Sequence, residues 1–243
     1  MQNKFDKKVV NELFGIDEPF KAPGRLMEIN FNSKLREKLF RRFLEISTDV
    51  SYDWFQGYFE ENQADHKNKK QDFTPRSVSD LVTKLADGQA DHTYFEPASG
   101  TGGIVIKKWW RDCLKESPLS YSPQEHLYWC EELSDGAVPF LIFNLALRGM
   151  NAVVWNGDSL SRKCRGVFLI MNSANNALGF SDVNVMPYNE EVKKYFSVSE
   201  WVGERFPEHV ETSLSADWRD TFAKYNRSNK LAATTQGQDS TGN

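Results

Sequence analysis

The chain has 243 residues, of which 40% are hydrophobic and 26% are charged, and its formal net charge at pH 7 is −4. These values allow one sizeable globular core, and the mild negative charge argues against broad nonspecific binding to nucleic acid, although a local basic groove remains compatible with it. Three scattered cysteines without Cys-x-x-Cys spacing, no run of about 18 apolar residues and no signal peptide predict a cytoplasmic protein without a zinc or other metal site or a membrane span.

Residues 1–71 are predicted to form a helical N-terminal extension that ends in a polar linker. Apolar side chains recur at helical spacing from residue 26 onward, and Leu35, Leu39, Phe43 and Ile46 are expected on one buried face. An aromatic cluster follows, which we expect to bury a helix against the core, although such a cluster is also able to stack on bases. Its members are Tyr52, Trp54, Phe55, Tyr58 and Phe59.

A helix start is predicted after this linker, in the stretch that begins at Asp72. Thr74 is a suitable N-cap, and Pro75 falls at the first helical position, where its missing N–H has no consequence. Apolar residues then continue at helical spacing as far as Leu85. The short sequence Phe73-Thr74-Pro75 therefore marks the beginning of a helix.

The next stretch, residues 94–103, runs from an apolar strand into a glycine-rich turn and then an amphipathic helix. This order opens many nucleotide- and nucleoside-binding α/β sheets, because glycines let the backbone approach a ligand and a helix N-terminus presents free N–H groups. A P-loop is excluded because no Lys directly follows Gly103, and a dinucleotide fingerprint is excluded by Val105. The remaining pattern is acid-Pro-Ala-x-Gly-Thr-Gly-Gly, beginning at Glu96, with a tight turn before a surface helix as the alternative.

Two further strands are predicted, over residues 127–130 and 151–155. The first ends in Glu131-Glu132, and a carboxylate at the end of the second strand is able to accept hydrogen bonds from both hydroxyls of a ribose. Glu131 and Glu132 are both candidates for this role, and both are also compatible with surface acids at a helix start. The later strand is followed by Gly157-Asp158, which is also a common turn.

These motifs resemble those of the S-adenosylmethionine-dependent N6-adenine DNA methyltransferases, most closely the modification subunit of type I restriction systems. That family carries Asp-Pro-Ala-Cys-Gly-Thr/Ser-Gly-Gly at the glycine turn, Phe-Phe-Thr-Pro-Arg before it, and Gly-x-Glu-Ile and Gly-Asp-Ser/Thr-Leu after the next two strands. The resemblance covers about residues 70–185. It implies an α/β fold, a Rossmann-like seven-stranded methyltransferase sheet, mostly parallel, with helices on both faces and a helical N-terminal extension.

The resemblance also implies S-adenosylmethionine as the cofactor. In the family the Thr-Pro turn contacts the methionine end, the acid after the second strand binds the ribose, and the Asp of Gly-Asp accepts a hydrogen bond from the adenine amino group. Alignment with the family's Gly-x-Glu-Ile puts Glu131 in the better register for the ribose, with Glu132 as the alternative. The residue at Leu133 is expected to pack on the adenine face. The cofactor-site candidates are Phe73, Thr74, Pro75, Glu96, Pro97, Ala98, Ser99, Gly100, Thr101, Gly102, Glu131, Leu133, Asp158 and Ser159.

The fourth motif departs from the family pattern. An active N6-adenine methyltransferase needs Asn/Asp/Ser-Pro-Pro-Tyr/Phe, because the polar side chain and the first proline carbonyl accept the N–H groups of a flipped-out adenine and the aromatic ring stacks on it. After a predicted strand over residues 166–171, this chain has Asn172-Ser173-Ala174-Asn175. Asn172 is the candidate for orienting the target amine, and Phe180 is the candidate for stacking on the base.

Three regions are expected: the extension and linker at 1–71, a methyltransferase-like domain at 72–224 and a disordered tail at 225–243. Two functions remain open. The chain is either an active DNA adenine-N6 methyltransferase with a divergent catalytic loop, or an inactive homologue, a pseudoenzyme, that acts as a regulator, decoy or anti-restriction partner. The candidate partners are DNA and a methyltransferase or specificity subunit.

Overall fold

The computed structural model describes residues 4–64, 93–115 and 120–212. The predicted helix start at Phe73, Thr74 and Pro75 and the predicted tail at 225–243 lie outside these ranges. The helices within them are α1 (Lys7–Phe14), α2 (Ala22–Asn30), α3 (Ser33–Ile46), α4 (Gln56–Ala64), α5 (Gly103–Lys115), α6 (Val138–Leu147) and α7 (Glu190–Tyr195). The strands are β1 (Thr93–Glu96), β2 (Leu127–Glu132), β3 (Ala152–Asp158), β4 (Lys163–Met171), β5 (Asp182–Val185) and β6 (Glu200–Trp201).

The N-terminal helices begin and end at residues suited to capping. Asp6 accepts a hydrogen bond from the Val9 N–H at 2.9 Å at the start of α1, and Asn32 accepts one from the Leu35 N–H at 3.1 Å at the start of α3. Gly15 ends α1 with φ 69°, a conformation that a residue without a Cβ adopts most easily. These local signals fix where the helices lie along the chain.

The aromatic cluster of the N-terminal region is part of the main core, as the sequence predicted. Trp54, Phe55 and Tyr58 are each at most 1% exposed. The ring of Phe55 packs edge-on against Phe140 of α6 with 5.0 Å between centroids, and the side chain of Asn30 donates to the α6 backbone at Pro139. The N-terminal helices therefore pack directly on the helix that covers the sheet.

The buried face of α3 differs from the one predicted. The two inner residues of the expected stripe are buried, but Leu35 is 45% exposed and Ile46 is 36% exposed. Phe40 and Arg36 take their places on the inward face. Arg36 is buried because its guanidinium pairs with the carboxylate of Glu211, 2.5 Å away, near the end of the described chain.

The described strands form one mixed sheet of six strands, which confirms the predicted α/β fold class. The order is β1-β2-β3-β4-β5, and β6 pairs with the first residues of β4. The first three strands are parallel to one another, whereas β4 is antiparallel to β3 and β5 is antiparallel to β4. The described ranges contain six strands in sequential order. A seventh strand and the Rossmann strand order remain predictions.

The connection between β3 and β4 explains the direction of β4. Only residues 159–162 join the two strands, so β4 folds back beside β3 as a hairpin, with Asp158 opposite Lys163. A parallel neighbour would need a crossover of about a dozen residues or more. Gly157 lies at a register shift where an added Cβ would be 2.3 Å from the Lys163 carbonyl oxygen. The carboxyl end of β4 therefore points the opposite way from those of β1, β2 and β3.

Both faces of the sheet are packed against other parts of the chain, and helices on both faces remain a prediction. On one face, Cys130 of β2 and Val154 of β3 belong to the apolar core that α5 and α6 complete. On the other face, Trp129 contacts Phe196, the residue after α7, with 5.5 Å between ring centroids. Adjacent residues of a strand point to opposite faces, so the fully buried Val153 lies on this second face. Among the described helices, none is long and apolar enough to cross a membrane.

Candidate cofactor site

The glycine turn connects β1 to α5 and is closed by its own backbone. The Gly102 N–H donates to the Ser99 carbonyl at 2.8 Å, and the Ser99 N–H donates to the Glu131 carbonyl at 3.0 Å. Gly100 and Gly102 have φ values of 56° and 103°, which favour glycine over other residues. Among the described residues, an added Cβ on Gly100 would meet no atom within 4 Å, whereas one on Gly102 would be 3.1 Å from Leu141. The Gly100 side of the turn is therefore open.

Glu132 connects the end of β2 to this turn. One carboxylate oxygen accepts the Gly100 N–H at 2.7 Å, and the other accepts the Ser134 N–H at 2.7 Å. A carboxylate oxygen has two lone pairs, so each retains the capacity to accept a further hydrogen bond. The Glu132 carboxylate thus lies beside the open glycine turn, at the carboxyl ends of parallel strands where α/β sheets commonly bind ligands.

Glu131 has different surroundings, because adjacent strand residues point to opposite faces. Its two carboxylate oxygens each accept a hydrogen bond from Nη1 of Arg162 at 2.7 Å, and the Trp129 indole donates to one of them at 3.2 Å. The Arg162 guanidinium also lies over the Trp155 ring at 4.2 Å. The sequence favoured Glu131 for a ribose, but the structure brings the alternative, Glu132, to the glycine turn.

The Gly-Asp turn lies directly beside the glycine turn. The Ser159 hydroxyl donates to the Pro97 carbonyl at 3.0 Å. The Asp158 carboxylate accepts hydrogen bonds from the Ser161 hydroxyl at 2.7 Å and the Leu160 N–H at 2.9 Å, and these bonds hold its pKa below the ordinary value. Asp158 is therefore an ionised acceptor at neutral pH, and the two turns form one continuous edge.

Glu96 is buried at the base of the glycine turn. Burial raises the pKa of its carboxyl to about 8, although hydrogen bonds from the Tyr94 hydroxyl and the Val105 N–H oppose the rise, and the charge of Glu132 adds to it. The Tyr94 hydroxyl lies 3.2 Å from a Glu96 oxygen. Glu96 therefore supports the turn from inside. The exposed rim above it includes Pro97, Ala98 and Leu133.

Thr101 is the one residue between the two left-handed glycines, and it faces inward. Its hydroxyl donates to the carboxylate of Asp53, and its carbonyl accepts a hydrogen bond from the Asn144 side chain at 2.8 Å. Asn144 also donates to Asp53 at 2.8 Å. Asp53 precedes α4, in the region that the sequence assigned to the N-terminal extension, and no motif drew attention to it.

The catalytic candidates lie at the other end of the sheet. The strand registers place Glu96 of β1 and Phe168 of β4 at the same height in the sheet, three strands apart. Asn172 follows Phe168 by four residues, in the direction of the amino ends of β1, β2 and β3. With about 4.8 Å between strands and about 3.3 Å per residue, Glu96 and Asn172 are on the order of 20 Å apart. Phe180 packs on Phe40 of α3 with 4.9 Å between ring centroids.

The side-chain amide of Asn172 is occupied by its own loop. Its Nδ2 donates to the carbonyls of Gly149 and Asn176 at 2.8 Å each, and its Oδ1 accepts the Asn176 N–H at 3.0 Å. Its backbone N–H donates to the Asn151 side chain at 2.7 Å, and the residue is 2% exposed. Both N–H donors of the amide are used, so the arrangement holds the loop closed.

The chain belongs to the N-6 DNA methylase family, because residues 47–201, more than half of the sequence, match the model of that family. This match confirms the family that the sequence motifs resemble. Within the described ranges, no group of three or more His, Cys, Asp or Glu side chains is placed to hold a metal ion.

One solved structure with some likeness to this chain is a Vibrio vulnificus YJ016 protein provisionally described as a modification subunit of a type I restriction enzyme. The two share 17% sequence identity over 54% of this chain and 25% of that one, with a TM-score of 0.38, and nothing about function follows from a likeness at that score. The chain therefore spans about a quarter of that protein's length. No curated protein matches this sequence.

Proposed function

We propose that this chain binds S-adenosylmethionine at the open edge of the glycine turn and does not by itself transfer the methyl group to adenine. The observation that carries the proposal is the position of Asn172, which is remote from the glycine turn and uses its amide to close its own loop. Of the two functions compatible with the sequence, this is the inactive homologue, which acts on DNA or on a methyltransferase or specificity subunit as a regulator, decoy or anti-restriction partner.

The residues of the open edge fit this cofactor. Space beside Gly100 admits a ligand close to the backbone, and the Glu132 carboxylate is available to the ribose hydroxyls. Asp158 is an ionised acceptor for the adenine amino group, and Leu133, which is 66% exposed, offers an apolar surface to the ring. Glu132 takes the ribose role in place of Glu131, whose carboxylate pairs with Arg162.

Other contacts in the proposal come from the family resemblance. Phe73, Thr74 and Pro75 are assigned to the methionine end of the cofactor, and the exposed residues Pro97 and Ala98 of the glycine turn line its path. S-adenosylmethionine supplies an electrophilic methyl group on a sulfonium centre when it is bound. The protein's part is to bind and orient it.

We infer the absence of transfer from the residues that would have to hold the target adenine. A methyl group moves only when the target amine is held about 3–3.5 Å from it in the correct direction. Asn172 has both amide donors engaged, and the neighbouring Ser173 and Asn175 are exposed and lack the rigidity of two prolines. Phe180 packs on Phe40, so its ring is committed to the core contact with α3.

Two measurements on the purified protein test the proposal. Calorimetric titration with S-adenosylmethionine is expected to show binding by the wild type, and loss of binding in Glu132→Ala and Asp158→Ala. Glu131→Ala is the matched control, because it removes the adjacent carboxylate, which faces Arg162. In the second measurement, protein with radiolabelled cofactor and mixed DNA is expected to leave the DNA unlabelled.

The outcomes separate the alternatives. DNA labelling by the pure protein that Asn172→Ala abolishes would establish the active methyltransferase and end the proposal. A wild type that binds no S-adenosylmethionine would refute the cofactor site and direct attention to protein partners.

A further inference from the structure

A buried hydrogen-bond network connects the segment before α4 to the glycine turn. Its centre is Asp53, which is 4% exposed. One carboxylate oxygen accepts the Phe55 N–H at 2.9 Å and the Asn144 side chain at 2.8 Å, and the other accepts the Thr101 hydroxyl. One carboxylate thus contacts its own segment, α6 and the glycine turn at once.

Arg148 completes the network at the end of α6. Its Nη1 donates to the side chain of Asn144 at 2.9 Å, and its Nε and Nη2 donate to the carbonyls of Val50 and Tyr52 at 2.8 and 2.7 Å. The guanidinium also lies 5.4 Å from the ring of Trp54. The Arg148 side chain therefore holds the segment around residues 50–54 against the end of α6.

Burying this polar network costs free energy that an apolar core would not. Burial raises the pKa of the Asp53 carboxyl, and hydrogen bonds from Thr101, Phe55 and Asn144 and the charge of Arg148 oppose the rise. An apolar side chain of similar size would avoid the desolvation of a carboxylate. What the polar arrangement adds is a defined geometry, because each hydrogen bond constrains direction as well as distance.

The network fixes the position of Thr101. It lies between Gly100 and Gly102, the two residues of the turn with left-handed φ, whose backbones have the most freedom. Fixing both its hydroxyl and its carbonyl holds the turn from its inner side. On the outer side, the Gly100 N–H reaches the Glu132 carboxylate, so the inner anchor also sets the position of that contact.

We infer that Asp53 is a positioning residue for the cofactor site: it anchors Thr101 and thereby holds the glycine turn in the conformation that presents Gly100 and Glu132 to an adenosine-type ligand. This role presupposes the cofactor binding proposed above. It makes the segment before α4 a part of the site. Because coupling between two parts of a protein is reciprocal, ligand bound at the turn also stabilises the docking of residues 49–55.

The test compares Asp53→Asn and Asn144→Ala with a matched control, Asp112→Asn. Neither Asp53 nor Asn144 is a proposed ligand contact, so an effect of either change on binding must pass through the turn. Asp112 is also a buried carboxylate, bonded to Lys108 at 2.5 Å and to the Tyr128 hydroxyl at 2.8 Å, but it lies in the second half of α5. Each variant is measured by thermal unfolding, by titration with S-adenosylmethionine, and by hydrogen exchange of residues 98–103 without ligand.

All three variants are expected to unfold at lower temperature than the wild type. Asp53→Asn and Asn144→Ala are expected to raise the dissociation constant about tenfold or more and to speed exchange at residues 98–103. Asp112→Asn is expected to leave the dissociation constant within about twofold, since its hydrogen bonds do not reach the turn. In the wild type, S-adenosylmethionine is expected to slow exchange at residues 49–55.

Each contrary result has its own meaning. Unchanged affinity and unchanged exchange at residues 98–103 in Asp53→Asn would overturn the positioning role while leaving cofactor binding intact. If Asp53→Asn does not fold, Asn144→Ala decides by the same two readouts. If the wild type binds no cofactor, the proposed function fails, and hydrogen exchange in the free protein still tests whether Asp53 anchors the turn.

Discussion

Asn172 and Asp158 lie at opposite ends of the hairpin formed by β3 and β4. Asp158 ends β3 opposite Lys163, whereas Asn172 follows β4 and its backbone bonds to Asn151, the residue before β3. The length of β3, seven residues, separates them by about 20 Å. Residues that act on the donor and the acceptor of one methyl group must converge, and these two diverge, which is why we propose binding without transfer.

Replacing Asn172 is expected to affect stability and not cofactor affinity. Asn172→Ala removes the donors to the carbonyls of Gly149 and Asn176 and should lower the free energy of unfolding by about 2–3 kcal/mol. Urea unfolding measures this change, and calorimetry should give an unaltered dissociation constant for S-adenosylmethionine. Ser173→Ala, at an exposed neighbour, is the control, with an expected effect below about 0.5 kcal/mol. A variant with wild-type stability but altered cofactor affinity would contradict the closing role.

Restoring the family motif in the loop is not expected to create activity. The triple change Ser173→Pro, Ala174→Pro and Asn175→Tyr supplies the two prolines and the aromatic ring, but at the wrong end of the sheet. It should also destabilise the fold, because Asn175 has φ 47°, which is unfavourable for Tyr. A radiolabelled-methyl assay on DNA checks the variant. Any gain of labelling would show that the loop alone is deficient and would count against the separation described above.

The two adjacent acids at the end of β2 are expected to have separable effects. Glu132→Gln should weaken S-adenosylmethionine binding about tenfold, because its carboxylate lies at the open turn. Glu131→Gln should mainly lower the free energy of unfolding, by about 2 kcal/mol, because it weakens the largely buried pair with Arg162. Calorimetry and thermal unfolding of both variants distinguish the roles. The reverse ranking would restore Glu131 as the ribose acid.

Stability is expected to fall as the pH rises through neutrality, because of Glu96. Its pKa is about 8 in the folded chain and 4.5 when unperturbed, so the folded state binds more protons than the unfolded state between these values. The contribution of Glu96 is therefore lost as pH rises through this window. Glu96→Gln should be more stable than the wild type by about 4 kcal/mol at pH 8 and equally stable below about pH 4.5. Urea unfolding across this range tests the sign, and parallel curves for the two proteins would refute it.

Local patterns predicted the strands and helices around the glycine turn better than they predicted the long-range arrangement. The strand, glycine turn and helix at residues 93–115 and the two following strands were accessible because their signals are contiguous in sequence. The predicted buried face of α3 was wrong because Arg36 is buried through its ion pair with Glu211, 175 residues away. The spacing of apolar residues gives no sign of such an ion pair. The same limit hid Asp53, whose partners Thr101 and Asn144 are distant in sequence.

The position of β4 shows where resemblance and chain length disagree. The resemblance implied a mostly parallel sheet, yet the four residues of 159–162 are too few for the crossover that a strand parallel to β3 needs. The choice between Glu131 and Glu132 for the ribose stays a prediction, and it depends on a similar long-range effect. Adjacent strand residues point to opposite faces, and which face the glycine turn occupies is decided by packing on α5 and α6, not by the local sequence.

Binding without transfer depends on the distance between the two ends of the hairpin formed by β3 and β4, and this distance can be measured. Leu160 and Leu178 are 95% and 94% exposed, so spin labels at Leu160→Cys and Leu178→Cys should be tolerated. The background is Cys113→Ser, because Cys113 is the one partly exposed native cysteine, whereas Cys130 and Cys164 are buried. We expect a dipolar distance centred beyond about 25 Å, and a clearly shorter one for the control pair at Leu160 and Phe95. A Leu160–Leu178 distance centred near 15 Å would place Asn172 beside the cofactor edge and contradict binding without transfer.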